Sequence, residues 1–128
     1  MTAIYDIKEA WPTIRPIIGK AIIKQGKSLT IMDNLYNMCL NGKAFLFCRP
    51  GGFAILEAKC LKSELVLFIH AAWGENGKRG VNLASLIGIA RVAGAHRLEM
   101  WSRRKGFERV GWTVKEQLKT DYIYTREV

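Results

Sequence analysis

Between Glu64 and Trp112 the chain carries a pattern that few folds accommodate. Ser-Glu-Leu-Val-Leu-Phe-Ile-His-Ala-Ala-Trp-Gly (63–74) is a buried strand over Glu64–Ala72, and Glu-Asn-Gly-Lys-Arg-Gly (75–80) after it is a glycine-rich, basic turn. The spacing predicts a helix over Asn82–Ala93, with Leu83, Leu86, Ile87, Ala90 and Ala93 on one stripe and Ile89 and Val92 widening it. Gly88 inside it costs up to about 1 kcal/mol relative to alanine, which a close helix-to-sheet contact would explain. Gly94 stops the helix, and Arg97–Trp101 forms a second strand, parallel to the first through a right-handed crossover. The whole is a βαβ unit. A turn of this composition leading into a helix directs backbone N–H groups at an anion.

The segments around it fit the same plan. From Asp6 to Gln25 the apolar residues Trp11, Ile14, Ile17, Ile18, Ala21 and Ile22 recur at helical spacing, with Pro12 suited to a first turn and Pro16 expected to kink or restart the helix. Ser28–Leu40 reads as a second helix, capped by Thr30, with Leu35, Met38 and Cys39 inward and Asn41-Gly42 as its stop. The period then changes to that of strands. Ala44–Cys48 and Phe53–Ala58 flank Arg49-Pro50-Gly51-Gly52 as an antiparallel hairpin. Arg103–Val110 reads as a short helix with Phe107 and Val110 on its apolar side, and Thr113–Gln117 and Asp121–Thr125 as a closing strand pair.

At 128 residues the chain has the length of one domain with a real core, and its 49% hydrophobic and 24% charged residues are those of a folded globular protein. No apolar run approaches the roughly 20 residues of a membrane span, and the N-terminus lacks a basic-then-apolar signal, so a cytoplasmic location without membrane attachment is expected. Cys39, Cys48 and Cys60 are an odd number without Cys-x-x-Cys spacing, and His70 and His96 lie 26 residues apart, which argues against disulfides and metal. The net charge of +9 suits polyanions, a polyphosphate-bearing cofactor, or simply a solvated basic surface. The run Arg103-Arg104-Lys105, with Trp101 and Trp112 near it, fits a nucleic-acid contact or cations flanking a surface helix.

Taken in order, these elements resemble the GNAT (Gcn5-related N-acetyltransferase) superfamily over nearly the whole chain. Trp11-Pro12, Asn41-Gly42-Lys43-Ala44-Phe45-Leu46 and Ser102-Arg103-Arg104-Lys105-Gly106-Phe107-Glu108-Arg109 look like segments of small GNAT-like proteins of phages and prophages. The resemblance implies an α/β (α+β) fold: a single GNAT-like domain over residues 1–128, with a mixed, mostly antiparallel sheet, a central parallel pair and helices on both faces.

It also implies acetyl-coenzyme A as the cofactor, with pantetheine along the third strand and pyrophosphate on the following helix. By position the cofactor-binding residues would be Ala72, Trp73, Gly77, Lys78, Arg79, Gly80, Val81 and Asn82. The family's Arg/Gln-x-x-Gly-x-Gly/Ala turn keeps Gly80, but has Gly77 at its first place and Asn82 at its last, where asparagine adds bulk or caps the helix. The family's proton-donating tyrosine falls on Phe107, counted back from Gly111-Trp112. For a general base the plausible positions are His70 and Glu57, with Glu75 in the turn; a histidine in an apolar strand and a glutamate near a strand end also have ordinary structural roles. The expected function is N-acetyl transfer from acetyl-coenzyme A to a small-molecule or protein amine. The alternatives are a catalytically inactive phage protein on the same fold, serving as virion component or host-directed binding factor, and non-specific nucleic-acid binding.

Overall fold

Phe53-Ala54-Ile55-Leu56 is buried at every residue, although an ordinary strand alternates. Such a run requires cover on both faces of the sheet. The computed structural model, which describes residues 3–24, 29–74, 83–103 and 105–128, supplies it. Phe53 and Ile55 pack under two N-terminal helices, α1 (Ile7–Lys24) and α2 (Thr30–Leu40), with Ile14, Ile18, Ile22 and Leu35. Ala54 and Leu56 face the other way, under α3 (Leu83–Val92), with Leu67, Ile69, Leu86, Ala90, Leu98, Trp112 and Tyr124.

The described residues form seven strands: β1 (Ala3–Tyr5), β2 (Ala44–Arg49), β3 (Gly52–Leu61), β4 (Glu64–Gly74), β5 (Arg97–Ser102), β6 (Thr113–Gln117) and β7 (Tyr122–Glu127). They lie in the order β1-β2-β3-β4-β5-β7-β6, and β4–β5 is the parallel pair. The expected mixed, mostly antiparallel sheet with helices on both faces is therefore the observed fold. Strand β1 has no apolar alternation to announce it; it extends the sheet through backbone pairing of Ala3, Ile4 and Tyr5 with Cys48, Phe47 and Leu46.

Two tight turns set the register of the central strands. Pro50-Gly51 joins β2 to β3, with Gly51 at φ +84°, the positive angle that the third position of a type II turn requires and glycine adopts without strain. Lys62-Ser63 joins β3 to β4 with both residues at positive φ, +49° and +69°, the geometry of a two-residue hairpin that glycine or asparagine adopts more cheaply.

Several expectations are corrected. Helix α1 starts at Ile7, with the Asp6 carboxylate accepting the Lys8 N–H as its cap, so Pro12 lies in the second turn. It runs through Pro16 without restarting: each internal proline costs about 3 kcal/mol, and burial of Ile14, Ile18 and Ile22 at about 1.5–3 kcal/mol each offsets the loss. Ala21 is exposed, while Ile7 and Met32, not anticipated, are core residues. The cap position of α2 is Leu29, without a side-chain cap, and Thr30 is already helical. Among the described residues of 103–110, only Phe107–Val110 is helical, as a 3₁₀ turn entered through Gly106 at φ +94°, and Val110 is exposed. Gly88 faces open space: outside its own helix backbone, a Cβ there would meet no atom within 4 Å, so no close approach to the sheet accounts for it.

Gly88→Ala is accordingly expected to stabilise the fold by up to about 1 kcal/mol, read as a higher urea midpoint with unchanged slope. Ser63→Gly should act in the same direction by about 1 kcal/mol, because the left-handed backbone there no longer carries a side chain.

Candidate functional site

The central strands separate part-way along the sheet. Among the described residues, ladder pairs join β4 to β5 from Val66–Arg97 to Ile69–Met100 and no further. Beyond that point β4 stays with β3 as far as Gly74–Gly52, and β5 stays with β7 as far as Ser102–Tyr122. Among the described residues, 71–74 of β4 thus have a ladder partner on one side only, and His70 has none. The cause is local. Ile55 pairs with Ala71 and Leu56 with Ile69, which leaves His70 as the extra residue of a β-bulge. A bulge bends its strand and increases the twist, and this one stands one residue past the last β4–β5 pair.

The bulge also aims a side chain. His70 Nε2 donates to Glu57 Oε1 at 2.8 Å, across β3–β4, with both side chains mostly buried. The two general-base candidates therefore meet. With Nε2–H held by the carboxylate, Nδ1 is the nitrogen positioned to take a proton, and Glu57 would stabilise the resulting imidazolium, the division of labour of a carboxylate–histidine pair. The Phe68 ring lies edge-on to the imidazole, centroids 4.9 Å apart, and Lys59 Nζ lies 4.6 Å from the centre of that ring and 4.0 Å from Glu57.

A second carboxylate lies on the same sheet face. Phe68 is the register partner of both Glu57 and Glu99, so the two acids flank it in one row across β3, β4 and β5. Glu99 is 6% accessible, and Lys115 Nζ reaches both its oxygens, at 3.1 and 3.0 Å. Lys115 is itself the extra residue at the register shift between Val114 and Glu116. Both oxygens of Glu99 are thus engaged by the Lys115 ammonium, whereas one oxygen of Glu57 meets His70.

Helix α3 closes the site from the opposite face. The His96 N–H donates to Leu65 O, which places the helix C-terminal end beside the start of β4. Ten residues at ~1.5 Å each bring its first turn above the point where the strands part. Arg49, at the end of β2, donates from its guanidinium to Ser85 Oγ in that first turn, and its Nε is buried without a hydrogen-bond partner. A cation with a donor to spare beside a helix N-terminus matches the electrostatics of a phosphate group. Arg49 was expected only as a turn residue; its partner is 36 positions away, beyond the reach of any local pattern.

Of the expected cofactor residues, Ala72 and Trp73 lie on the segment of β4 that is paired with β3 but not with β5, both exposed. Gly77, Lys78, Arg79, Gly80, Val81 and Asn82 lie outside the described residues, as do Glu75 and Arg104. Phe107 packs edge-on to Tyr124, centroids 5.2 Å apart. Tyr124, on β7 opposite Met100, is fully buried, and burial, with Glu108 and Tyr122 nearby, raises its phenol pKa. Trp112 is a core residue, whereas Trp101 is 49% exposed. Arg103 pairs with Asp121 at 3.7 Å. Cys39 is half-buried and burial raises its thiol pKa, which disfavours the nucleophilic thiolate. Among the described residues there is no group of side chains suited to a metal, and no helix long and apolar enough to cross a membrane.

No family model matches the sequence, and no curated protein matches it. Solved structures do. An acetyltransferase of the GNAT family from Streptococcus agalactiae superposes with TM-score 0.64 at 14% identity, over 99% of this chain and 95% of that one. One from Listeria monocytogenes gives 0.63 at 10%, over 100% and 94%. The PaiA N-acetyltransferase from Thermoplasma acidophilum, in complex with coenzyme A, gives 0.55 at 12%, over 100% and 99%. The chain has the GNAT fold.

Lys115→Met should destabilise the protein by about 1–2 kcal/mol, since it strands the Glu99 carboxylate while losing an ammonium that is partly in water. Adding Glu99→Gln to that variant should recover part of the loss, measured as the urea midpoints of a double-mutant cycle.

Proposed function

We propose that this protein is an acetyl-coenzyme A-dependent N-acetyltransferase acting on an amine. The observation that carries the reading is the parting of β4 from β5 at the His70 bulge, because it leaves strand-edge N–H and C=O groups facing a gap beside a histidine–carboxylate pair. The unpaired β4 edge is suited to the amides of a pantetheine arm, and Arg49 with the first turn of α3 to its phosphates. The thioester, when bound, supplies an activated acyl carbon. His70 would take the proton from the attacking amine at Nδ1, and Glu57 would hold the ring and balance its charge. The structural neighbours support the reading through their fold and, in one case, bound coenzyme A.

Titration calorimetry with coenzyme A and acetyl-coenzyme A should show one site, and thiol release in the presence of a panel of amines should show turnover. His70→Ala should lower the turnover about 10²- to 10⁴-fold while leaving coenzyme A affinity unchanged. Absence of binding at millimolar ligand would exclude the reading. Binding without turnover would favour a non-catalytic role, the reading to which Phe107 at the family's tyrosine position points.

A further inference from the structure

A cleft of about 440 Å³ opens on the α1 face of the sheet, between the N-terminal turns of α1, the β2–β3 hairpin and the end of β4. Among the described residues none that lines it is cationic, in a chain with 20 Lys+Arg and a net charge of +9. Asp6 and Glu9 stand in its wall, and the wall is otherwise largely apolar or aromatic. Phe53 and Trp73, directly opposite in the β3–β4 ladder, stack with centroids 6.0 Å apart and planes 26° apart, and Trp73 remains 39% exposed.

The charges have a local use, which must be subtracted first. Asp6 caps α1 through one oxygen, and the helix N-terminus offsets about half a negative charge. Two carboxylates against half a charge still leave the cleft negative. Its described wall residues offer no cation to an anionic ligand, and its volume is in the range of small-molecule sites, well beyond a single ion. A carboxylate beside an indole face is the combination that holds an ammonium, by charge pairing and by cation–π attraction.

We infer that this cleft binds an organic cation: a primary ammonium carried on an apolar body, with the ammonium at Glu9 and Asp6 and the body against Phe53 and Trp73. Trp73 belongs to the segment of β4 that has no β5 partner, so such a ligand touches the strand that borders the gap. The inference does not depend on acyl transfer. Binding is read with no acyl donor present, so failure of either proposal leaves the other standing.

The test is an NMR titration of the full chain with hexylammonium, hexanol and hexanoate at one ionic strength. It follows the Trp73 indole N–H, assigned by its loss in Trp73→Phe. Hexylammonium should bind about fivefold or more tightly than hexanol, and hexanoate most weakly. Glu9→Gln, at an exposed position that need not disturb folding, should weaken hexylammonium about three- to fivefold and leave hexanol unchanged. Equal affinity for hexanol and hexylammonium, a preference that survives Glu9→Gln, or no binding of any of the three up to ~50 mM would each overturn the proposal.

Discussion

Ten register pairs, from Gly52–Gly74 to Leu61–Glu64, bind β3 to β4 along their length, and the remaining architecture hangs on that ladder. Its two faces feed the two cores: Phe53 and Ile55 anchor α1 and α2, and Ala54, Leu56, Leu67 and Ile69 anchor α3. Its one irregularity, the bulge at His70, turns the end of β4 along with β3. Strand β5 is committed to β7 over its whole length and cannot follow. The gap between them is the geometric remainder of two strong pairings and one extra residue.

The same ladder explains why the chemistry collects where it does. Helices α1 and α2 cover β2 and β3, and no residue of β5, β6 or β7 enters that core cluster. On this face β4 and β5 therefore carry polar and ionisable side chains that a covered sheet would exclude. His70, Glu57 and Glu99 are partly or fully withdrawn from water and each has a partner, as buried charge requires. The face holds its charges in pairs, whereas the charged residues described in the cleft at the far end of β4 are acids.

Periodicity made much of this legible in the sequence. The hairpin around Pro50-Gly51, the strand over 64–72, the helix after it and the return strand all depend on apolar spacing and on glycine or proline at turns, which are local signals. Strand β1 is three residues held by backbone bonds, so no side-chain pattern encodes it. Gly88 suggested a tight contact because glycine inside a helix usually has a reason; here the position is simply open. His70 and Glu57 were separately plausible, but their meeting depends on a bulge that alternation cannot register. Arg49, Glu99 and the Asp6–Glu9 wall were not anticipated, because each acquires its meaning from an element far away in sequence.

The four-pair seam between β4 and β5 has a mechanical consequence. A sheet resists bending in proportion to the bonds that cross a given line, and this seam has fewer register pairs than the other interior ladders, β2–β3, β3–β4 and β5–β7. Compliance is thereby concentrated on an axis running beside His70, between a half stiffened by two helices and a half stiffened by β7 and the 3₁₀ turn. Any molecule that hydrogen-bonds to both lips of the gap would act as a splint across that axis, and the rigidity it adds would reach the outer strands β1 and β6, which it never touches.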